Sequence, residues 1–395
     1  MYCNYFSCSN NNHSNNYKHN KKQQGGKWRL CSYHSQCKFK FSCNLHKKGN
    51  NYRRYHRNFR KLRYIRRYSF SRRHSSRKNS ICRWKKITGT YVENTLGTVT
   101  GNETTNSEVN DKYGNPVKVP AGFKVVNPDD DVTKGIIIED VNAGDENTKG
   151  SQFVWIPVGD VITDSNLNKT TITLGRYDFA SDGTPSPFSG PYTEDTAESH
   201  NSSYGNAIAK DINDFIKKAN SSGGYYIGRY EEGDATATSS ERTSSTSDTN
   251  PIVSKAGVYP YNYITQPQAS SLCQEMYSSS NFESDLINSY AWDTAIVFIQ
   301  EFSGDTDYSR QSRLQSSLAK CGEATDGTNN DVRCNIYDMA GNTREWSTET
   351  VPNTDFPCVP RGGLYDDSIY YTRHRGSSYT TDSDSIYSAR PTLYL

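Results

Sequence analysis

The chain has 395 residues, only 33% of them hydrophobic, a mean hydropathy of −0.87, and no stretch near the roughly 18 apolar residues a membrane helix needs. It therefore reads as two or three domains and not as an integral membrane protein. The net charge of +3 hides a division: residues 1–92 carry 24 Lys and Arg and no acid, leaving 22 basic and 43 acidic residues beyond them.

Residues 1–92 form a basic, acid-free segment that admits three readings. Arg53, Arg54, Arg57, Arg60, Arg63, Arg66, Arg67, Arg72 and Arg73 among Tyr and Phe have the composition of an arm that neutralises nucleic-acid phosphates. A segment without acids and with almost no aliphatics can equally be a disordered tail. The third reading is a frame-shifted translation. Residues 1–90 lack Ala, Val, Pro, Asp and Glu, as misread A/T-rich DNA would. Shifting each codon from Cys3 to Lys18 by one base yields a run of about fifteen apolar residues, fit for a membrane anchor or pilin-like helix. Cys31, His34, Cys37, Cys43 and His46 match none of the paired spacings of zinc sites.

Residues 93–116 read as a linker to a third segment, 117–395. There, short β-like runs separated by Gly, Asn, Pro and Asp come first: Gly122–Val126, Gly135–Glu139, Phe153–Val158 and Thr171–Gly175. Ile208, Ile212, Phe215, Ile216 and Ala219 share a helical face after Asn206, with a glycine stop at Ser221–Gly224. Tyr225–Tyr230 reads as a strand and Asp234–Asn250 as an exposed polar loop. Thr265 with Pro267 opens a helix carrying Ala269, Leu272, Cys273 and Met276, and Ser289 opens another carrying Trp292, Ala295, Ile296 and Ile299. Short strands and polar turns follow to the end. Few helices among many short strands predict an α+β domain, without repeats.

The chemistry this segment can support is restricted. It has no phosphate loop, helical metalloprotease motif or nucleophile elbow, and its histidines are His200 and His374 alone. Cys273, Cys321, Cys334 and Cys358 allow two disulfides or four buried thiols.

Five segments, in order, resemble the formylglycine-generating enzyme (sulfatase-modifying factor) family. Phe153-Val-Trp-Ile-Pro157 and Gly224-Tyr-Tyr-Ile-Gly-Arg-Tyr-Glu231 resemble its early strands. Ile336-Tyr-Asp-Met-Ala-Gly-Asn-Thr-Arg-Glu-Trp346 resembles its Asp-Met-x-Gly-Asn-x-x-Glu-Trp signature, Arg361-Gly-Gly363 its Arg-Gly-Gly strand, and Ala389-Arg-Pro-Thr-Leu-Tyr-Leu395 its closing strand. The resemblance implies a variant of the C-type lectin fold, with long loops over a small mixed sheet. It also implies calcium at Asp338, Gly341, Thr343 and Glu345, hard oxygen ligands on a turn. The residues themselves equally allow a turn of positive φ at Gly341-Asn342 capped by Asp338, with Tyr337 and Trp346 in the core. Arg344 stands where many relatives carry an apolar or aromatic residue.

At the family's active site, two cysteines bind copper. Registering Tyr371-Thr-Arg-His-Arg375 on the family's Arg-rich strand places Asp367 and Thr372 at those positions. A carboxylate and a hydroxyl do not replace the thiolates that hold Cu(I), and Cys358 alone cannot form the pair, so neither copper nor oxidase activity is expected. Residues 365–387 are instead almost wholly Tyr, Asp, Ser, Thr, Arg and His, the chemistry of adaptable binding surfaces. The stretch resembles the variable face of related proteins diversified by retroelements at adenine-rich codons.

The expected function is a non-catalytic, cell-surface or secreted ligand-binding protein. Tyr365, Asp367, Tyr370, Tyr371, Arg373, His374, Arg375 and Tyr379 would meet a protein or glycan ligand. The alternatives are a formylglycine-generating oxidase acting on protein cysteine, and nucleic-acid binding through a genuine basic arm. A frame-shifted N-terminus would add a membrane anchor.

Overall fold

The computed structural model describes residues 94–194, 209–236, 241–242, 250–323, 331–352 and 355–395, together with the two-residue strands Tyr68–Ser69 and Lys85–Lys86. The chain divides into two units, Met1–Tyr91 and Val92–Leu395. In the first, Tyr68–Ser69 pairs antiparallel with Lys85–Lys86; the expectations for residues 1–92 otherwise lie outside the described residues.

The second unit is α+β: small, mostly antiparallel sheets with three α-helices. Ten strands and the helices place the site. They are β1 (Phe123–Val125), β2 (Ile137–Asp140), β3 (Gln152–Pro157), β4 (Thr193–Glu194), α1 (Ile212–Ser222), β5 (Gly224–Gly228), α2 (Gln266–Glu275), β6 (Glu283–Leu286), α3 (Ser289–Phe302), β7 (Arg344–Thr350), β8 (Cys358–Arg361), β9 (Tyr387–Ala389) and β10 (Pro391–Tyr394). The central sheet runs β6-β10-β5-β3-β2-β1, with neighbours antiparallel.

Both faces of this sheet are buried, which accounts for the nearly unbroken apolar run of β3. Alternation along the pleat sends Phe153, Trp155, Tyr226 and Leu393 into one core with α2. Val154, Ile156, Tyr225, Ile227 and Tyr394 enter the other, with α1 and α3. Trp155 and Tyr226 are cross-strand partners and meet edge to face at 4.9 Å. Removing the Trp155 side chain would cost about 3–5 kcal/mol.

Helix ends follow their sequence signals at α2 and at the close of α1, while the starts of α1 and α3 are displaced by a residue or more. Asp211 caps α1 through the Asn213 and Asp214 N–H groups, and Gly223, at φ 75°, closes it. Asn206 and Ile208, expected to open this helix, lie outside the described residues. Thr265 and Gln268 form a reciprocal capping box on α2, with Pro267 in its first turn. Asn288, one residue before the expected start, caps α3 through the Ala291 N–H.

The stretch expected to be a linker is part of the fold. Ser107–Asn110 pairs antiparallel with Pro116–Val119, and Leu96, Val99, Val109 and Val117 are buried in the main core. The strand expected at Thr171–Gly175 lies instead at Lys169–Ile172, paired with Gly159–Ile162. Within the expected loop 234–250, residues 237–240 and 243–249 are outside the described set. At its edges Gly233–Asp234 pairs with Ile252–Val253.

A second sheet centres on β7, flanked by β8 and β4 antiparallel and by β9 parallel. Trp346 of β7 stacks on Tyr387 of β9 at 4.4 Å and donates its indole N–H to the Ile264 carbonyl at 2.8 Å. This sheet carries the candidate site.

Candidate functional site

The Arg361-Gly-Gly363 segment needs its glycines for space. A Cβ on Gly363 would stand 1.9 Å from the Ala340 carbonyl oxygen, and Gly362 has φ 86° with the Met339 carbonyl and the Trp292 ring close by. The two glycines thus let the end of β8 lie against the signature turn 338–341. Within that turn the positive φ values fall on Asp338 (66°) and Asn342 (57°), while Gly341 is needed for a close approach to Arg313. Trp346 is core as expected, and Tyr337 is half-buried.

The signature's polar side chains turn inward. Glu231 accepts from the Asn342 amide at 2.5 Å, the Thr343 N–H at 2.9 Å and the Thr343 hydroxyl at 2.6 Å. Glu345 is held bidentately by Arg390, Nε at 2.8 Å and Nη2 at 2.5 Å, and Arg390 also donates to the Gly228 and Tyr337 carbonyls. Asp338 accepts the Gly322 N–H at 3.1 Å. Burial, and after it the Asp331 charge, pushes Asp338 up to about 8; burial followed by Asp338 and Glu345 pushes Glu231 well above the carboxylate range.

Of the residues suggested for calcium, Glu345 therefore has both oxygens on a guanidinium, and the Thr343 hydroxyl lies between Glu231 and Ser388. Among the described residues no cluster of three or more His, Cys, Asp or Glu has the geometry of a metal site. As arranged, these side chains hold an internal cation, Arg390.

Near the Arg361 end of β8 a cleft of about 510 Å³ opens. Its walls come from two segments. The hairpin pairing Tyr177–Phe179 with Pro185–Pro187, with the chain leading on to β4, supplies Tyr177, Asp178, Phe179, Phe188, Gly190 and Tyr192. The C-terminal stretch supplies Ile369, Tyr371, Arg373, His374 and Arg375. Burial first, then the Arg344, Arg361 and Arg373 charges, holds His374 down to about 4, so a neutral imidazole lines the cleft.

An ionic lattice anchors these walls from beneath. Arg361, fully buried, donates to Glu349 at 3.0 Å, Asp293 at 2.6 Å and the His374 carbonyl at 3.0 Å. Arg375 bonds the same two acids, and Arg176 bonds Glu349 and the Tyr192 carbonyl. Phe188 is covered by both cations, with Arg375 at 4.0 Å and Arg176 at 4.6 Å from its ring centre. Glu194 is half-buried beside Glu349, and desolvation followed by that charge pushes it up to about 7.

The structure brings Tyr371, Arg373, His374 and Arg375 of the expected face together in this cleft, with Tyr370 edge-on to His374 at 4.9 Å. Arg375 gives the cleft a wall but spends its donors on Asp293 and Glu349. Tyr365, Asp367 and Tyr379 are not in the lining. The Asp367 side chain closes a local turn on the Ile369 N–H, and Tyr379 packs on Phe356 at 4.3 Å. The whole first wall went unread in the sequence; its aromatic spacing, Tyr177, Phe179, Phe188 and Tyr192, was the available signal.

The described cysteines lie outside the cleft, and Thr372, at one of the two expected copper positions, is buried with its N–H on Gln311 and its carbonyl accepting from Trp292. The four described cysteines are free; Cys273, Cys321 and Cys358 are buried. Burial pushes Cys334 and Cys358 up to about 12 and the other two well above the usual thiol range, so none presents a thiolate at neutral pH.

No family model and no curated protein matches the chain. Among solved structures, it is similar to "Treponema denticola variable protein 1" at 12% identity and a TM-score of 0.30, over 62% of this chain and 96% of that one. It is also similar to "Major Tropism Determinant M1 Variant" at 10% identity and a TM-score of 0.30, over 77% of this chain and 85% of that one. Scores of this size support no argument about fold or function.

Proposed function

We propose that this chain is a non-catalytic ligand-binding protein, secreted or held at a cell surface, that engages a protein or glycan through the cleft between the 177–192 wall and residues 369–375. The observation that carries the reading is the lining: Tyr, Phe, Arg and His side chains converge on one concavity, fixed from below by Arg361, Asp293 and Glu349. Rigid rings with polar tips supply contact area at little entropic cost, and a prebuilt wall reduces what binding must order.

The scaffold we propose is the formylglycine-generating-enzyme-like variant of the C-type lectin fold. The sequence signatures support it, and so does the interlock of Gly362 and Gly363 with Met339 and Ala340, which gives two of those signatures a joint packing role. Calcium at Asp338, Gly341, Thr343 and Glu345 would require Glu345 to leave Arg390, so the reading uses no ion.

The test is binding of the whole chain to glycan and ectodomain arrays. Tyr371→Ala and Arg373→Ala should each weaken a captured partner by about tenfold or more without moving the unfolding midpoint. Unchanged binding in both would remove the cleft from the account. Copper-dependent oxygen uptake with a cysteine-containing sulfatase peptide would replace the reading by an oxidase.

A further inference from the structure

The arginines beneath the cleft are matched to acids, Arg176 to Glu349, and Arg361 and Arg375 to Asp293 and Glu349. Arg373 differs from them. It lines the cleft and is half-buried, so it faces the open volume of about 510 Å³. Its guanidinium makes one long hydrogen bond, from Nη1 to the Phe179 carbonyl at 3.4 Å, and among the described residues it makes no ion pair. The charges felt there are those of Arg310, which opposes it, and of Tyr371, whose ring centre lies 5.7 Å away.

The backbone holds the two cations as neighbours. The Thr372 N–H donates to the Gln311 carbonyl and the Arg373 N–H to the Ser309 carbonyl, both at 3.0 Å, so residues 309–311 and 372–373 run side by side. Arg310 likewise makes no ion pair among the described residues. The lining does little to offset them: its single carboxylate, Asp178, accepts the Ser189 N–H at 3.0 Å and hydroxyl at 3.1 Å. A concave wall with one idle guanidinium, and a second positive charge behind it, attracts an anion.

The neighbouring side chains select what carries that anion. Ile369, also in the lining, is 63% exposed. Leu314, 47% exposed, precedes Gln315, whose N–H bonds the Tyr365 carbonyl. Exposed aliphatic groups beside a cation suit a protein surface that mixes apolar and acidic side chains. Sugar hydroxyls gain nothing from an isoleucine, and a phosphate chain would bring several charges to a lining that offers one free guanidinium and a carboxylate.

We propose that the cleft takes an acidic protein segment, with a side-chain carboxylate docked on Arg373 and an adjacent apolar side chain covering Ile369. This partner class presupposes the cleft as the binding site and narrows the ligand within that reading.

Calorimetric titration of the full chain tests it with an acetylated peptide alternating glutamate and leucine, the same peptide with glutamine for glutamate, an oligogalacturonate and an oligothymidylate. The glutamate peptide should bind about tenfold or more tighter than the glutamine peptide. Arg373→Gln should remove that difference while leaving the affinity of the glutamine peptide as it was, a split that a merely structural arginine would not produce. Asp178→Asn, which deletes the only carboxylate of the lining, should tighten the glutamate peptide about twofold, and Ile369→Ser should weaken both peptides. The proposal is overturned if the glutamate peptide does not bind, if the glutamine peptide equals it, or if Arg373→Gln keeps the difference. Tighter binding of the oligogalacturonate or the oligothymidylate would overturn it too, giving the cation to a glycan or a nucleic acid. Should Arg373→Gln not fold, Asp178→Asn decides, and no gain in it overturns the proposal. The two readings fail differently. If Tyr371→Ala weakens an array-captured partner while the peptides are indistinguishable, the cleft stands and the partner class falls; if Tyr371→Ala and Arg373→Ala both leave that partner bound as before, the cleft itself falls.

Discussion

The signature turn and the cleft floor are both knots of buried charge, and they differ in their ratio of acid to base. At the turn, Glu231, Asp331, Asp338 and Glu345 gather about Arg390, and burial pushes all four carboxyls up from their usual values. At the floor three cations, Arg176, Arg361 and Arg375, alternate with two acids, Asp293 and Glu349, so that each acid meets more than one guanidinium. The first knot closes on itself and ties β5, β7 and β10 together. The second is covered by rings on its open side, where the ionic lattice fixes Phe188, Tyr192 and His374 in place. Residue types that look alike in sequence thus hold a scaffold in one region and present a surface in the other.

The largest effect should come from taking away the turn's cation. Arg390→Ala leaves Glu345 buried without its bidentate partner, an expected loss of about 3–5 kcal/mol in urea unfolding at pH 8. The loss should be smaller at pH 5, where Glu345 can be protonated. An equal loss at both pH values would mean that Glu345 stays ionised throughout, and the contrast with the floor would fail.

Next is the pH dependence of the unmodified chain. Asp338 and Glu232 are pushed up to about 8, Glu194 to about 7 and Asp285 to about 6, in each case by burial first. Their folded values lie above the unfolded ones, so this stability is complete at about pH 4 and is lost as pH rises through 6 to 8. Each retained proton contributes a slope of about 1.4 kcal/mol per pH unit between its two values. Thermal unfolding from pH 5 to 9 should show the decline. Asp338→Asn, an isostere of the protonated acid that also tolerates the left-handed φ, should flatten it, changing stability by less than about 1 kcal/mol near pH 4 and gaining on the parent as pH rises toward 8. If calcium raised the parent's midpoint and not the variant's, the turn would be an ion site and Glu345 would have to exchange partners.

Much of the scaffold was legible because its signals are local. The buried run Phe153–Pro157, the Thr265 capping box and the apolar face of α3 each announce themselves within a dozen residues. The hairpin at 107–119 was missed because Val109, Val117 and Val119 are sparse among polar neighbours, and what makes them core is contact with distant Leu96 and Phe123. The cleft was half legible for a similar reason. The Tyr- and Arg-rich stretch 370–375 is conspicuous by composition, whereas Tyr177, Phe188 and Tyr192 become its partners only through Arg176 and Glu349, 173 residues apart. Nor could composition tell which residues of 365–387 face solvent, so Arg375 counted as surface although both its acids lie beneath it.

That last distinction supports the finest test. Composition treats Tyr371 and Tyr379 alike, and simple exposure favours Tyr379, which is 48% exposed. Geometry separates them: Tyr371 lines the cleft, whereas Tyr379 leans on Phe356 outside it. Tyr379→Ala should therefore change stability by no more than about 0.5 kcal/mol and leave the affinity for an array-captured partner within twofold or so, against about tenfold for Tyr371→Ala. Affinities of the two variants for one partner, measured side by side by surface resonance, decide it. Comparable losses would mean that the ligand spreads across the whole 365–387 face, and concavity would then count for less than composition.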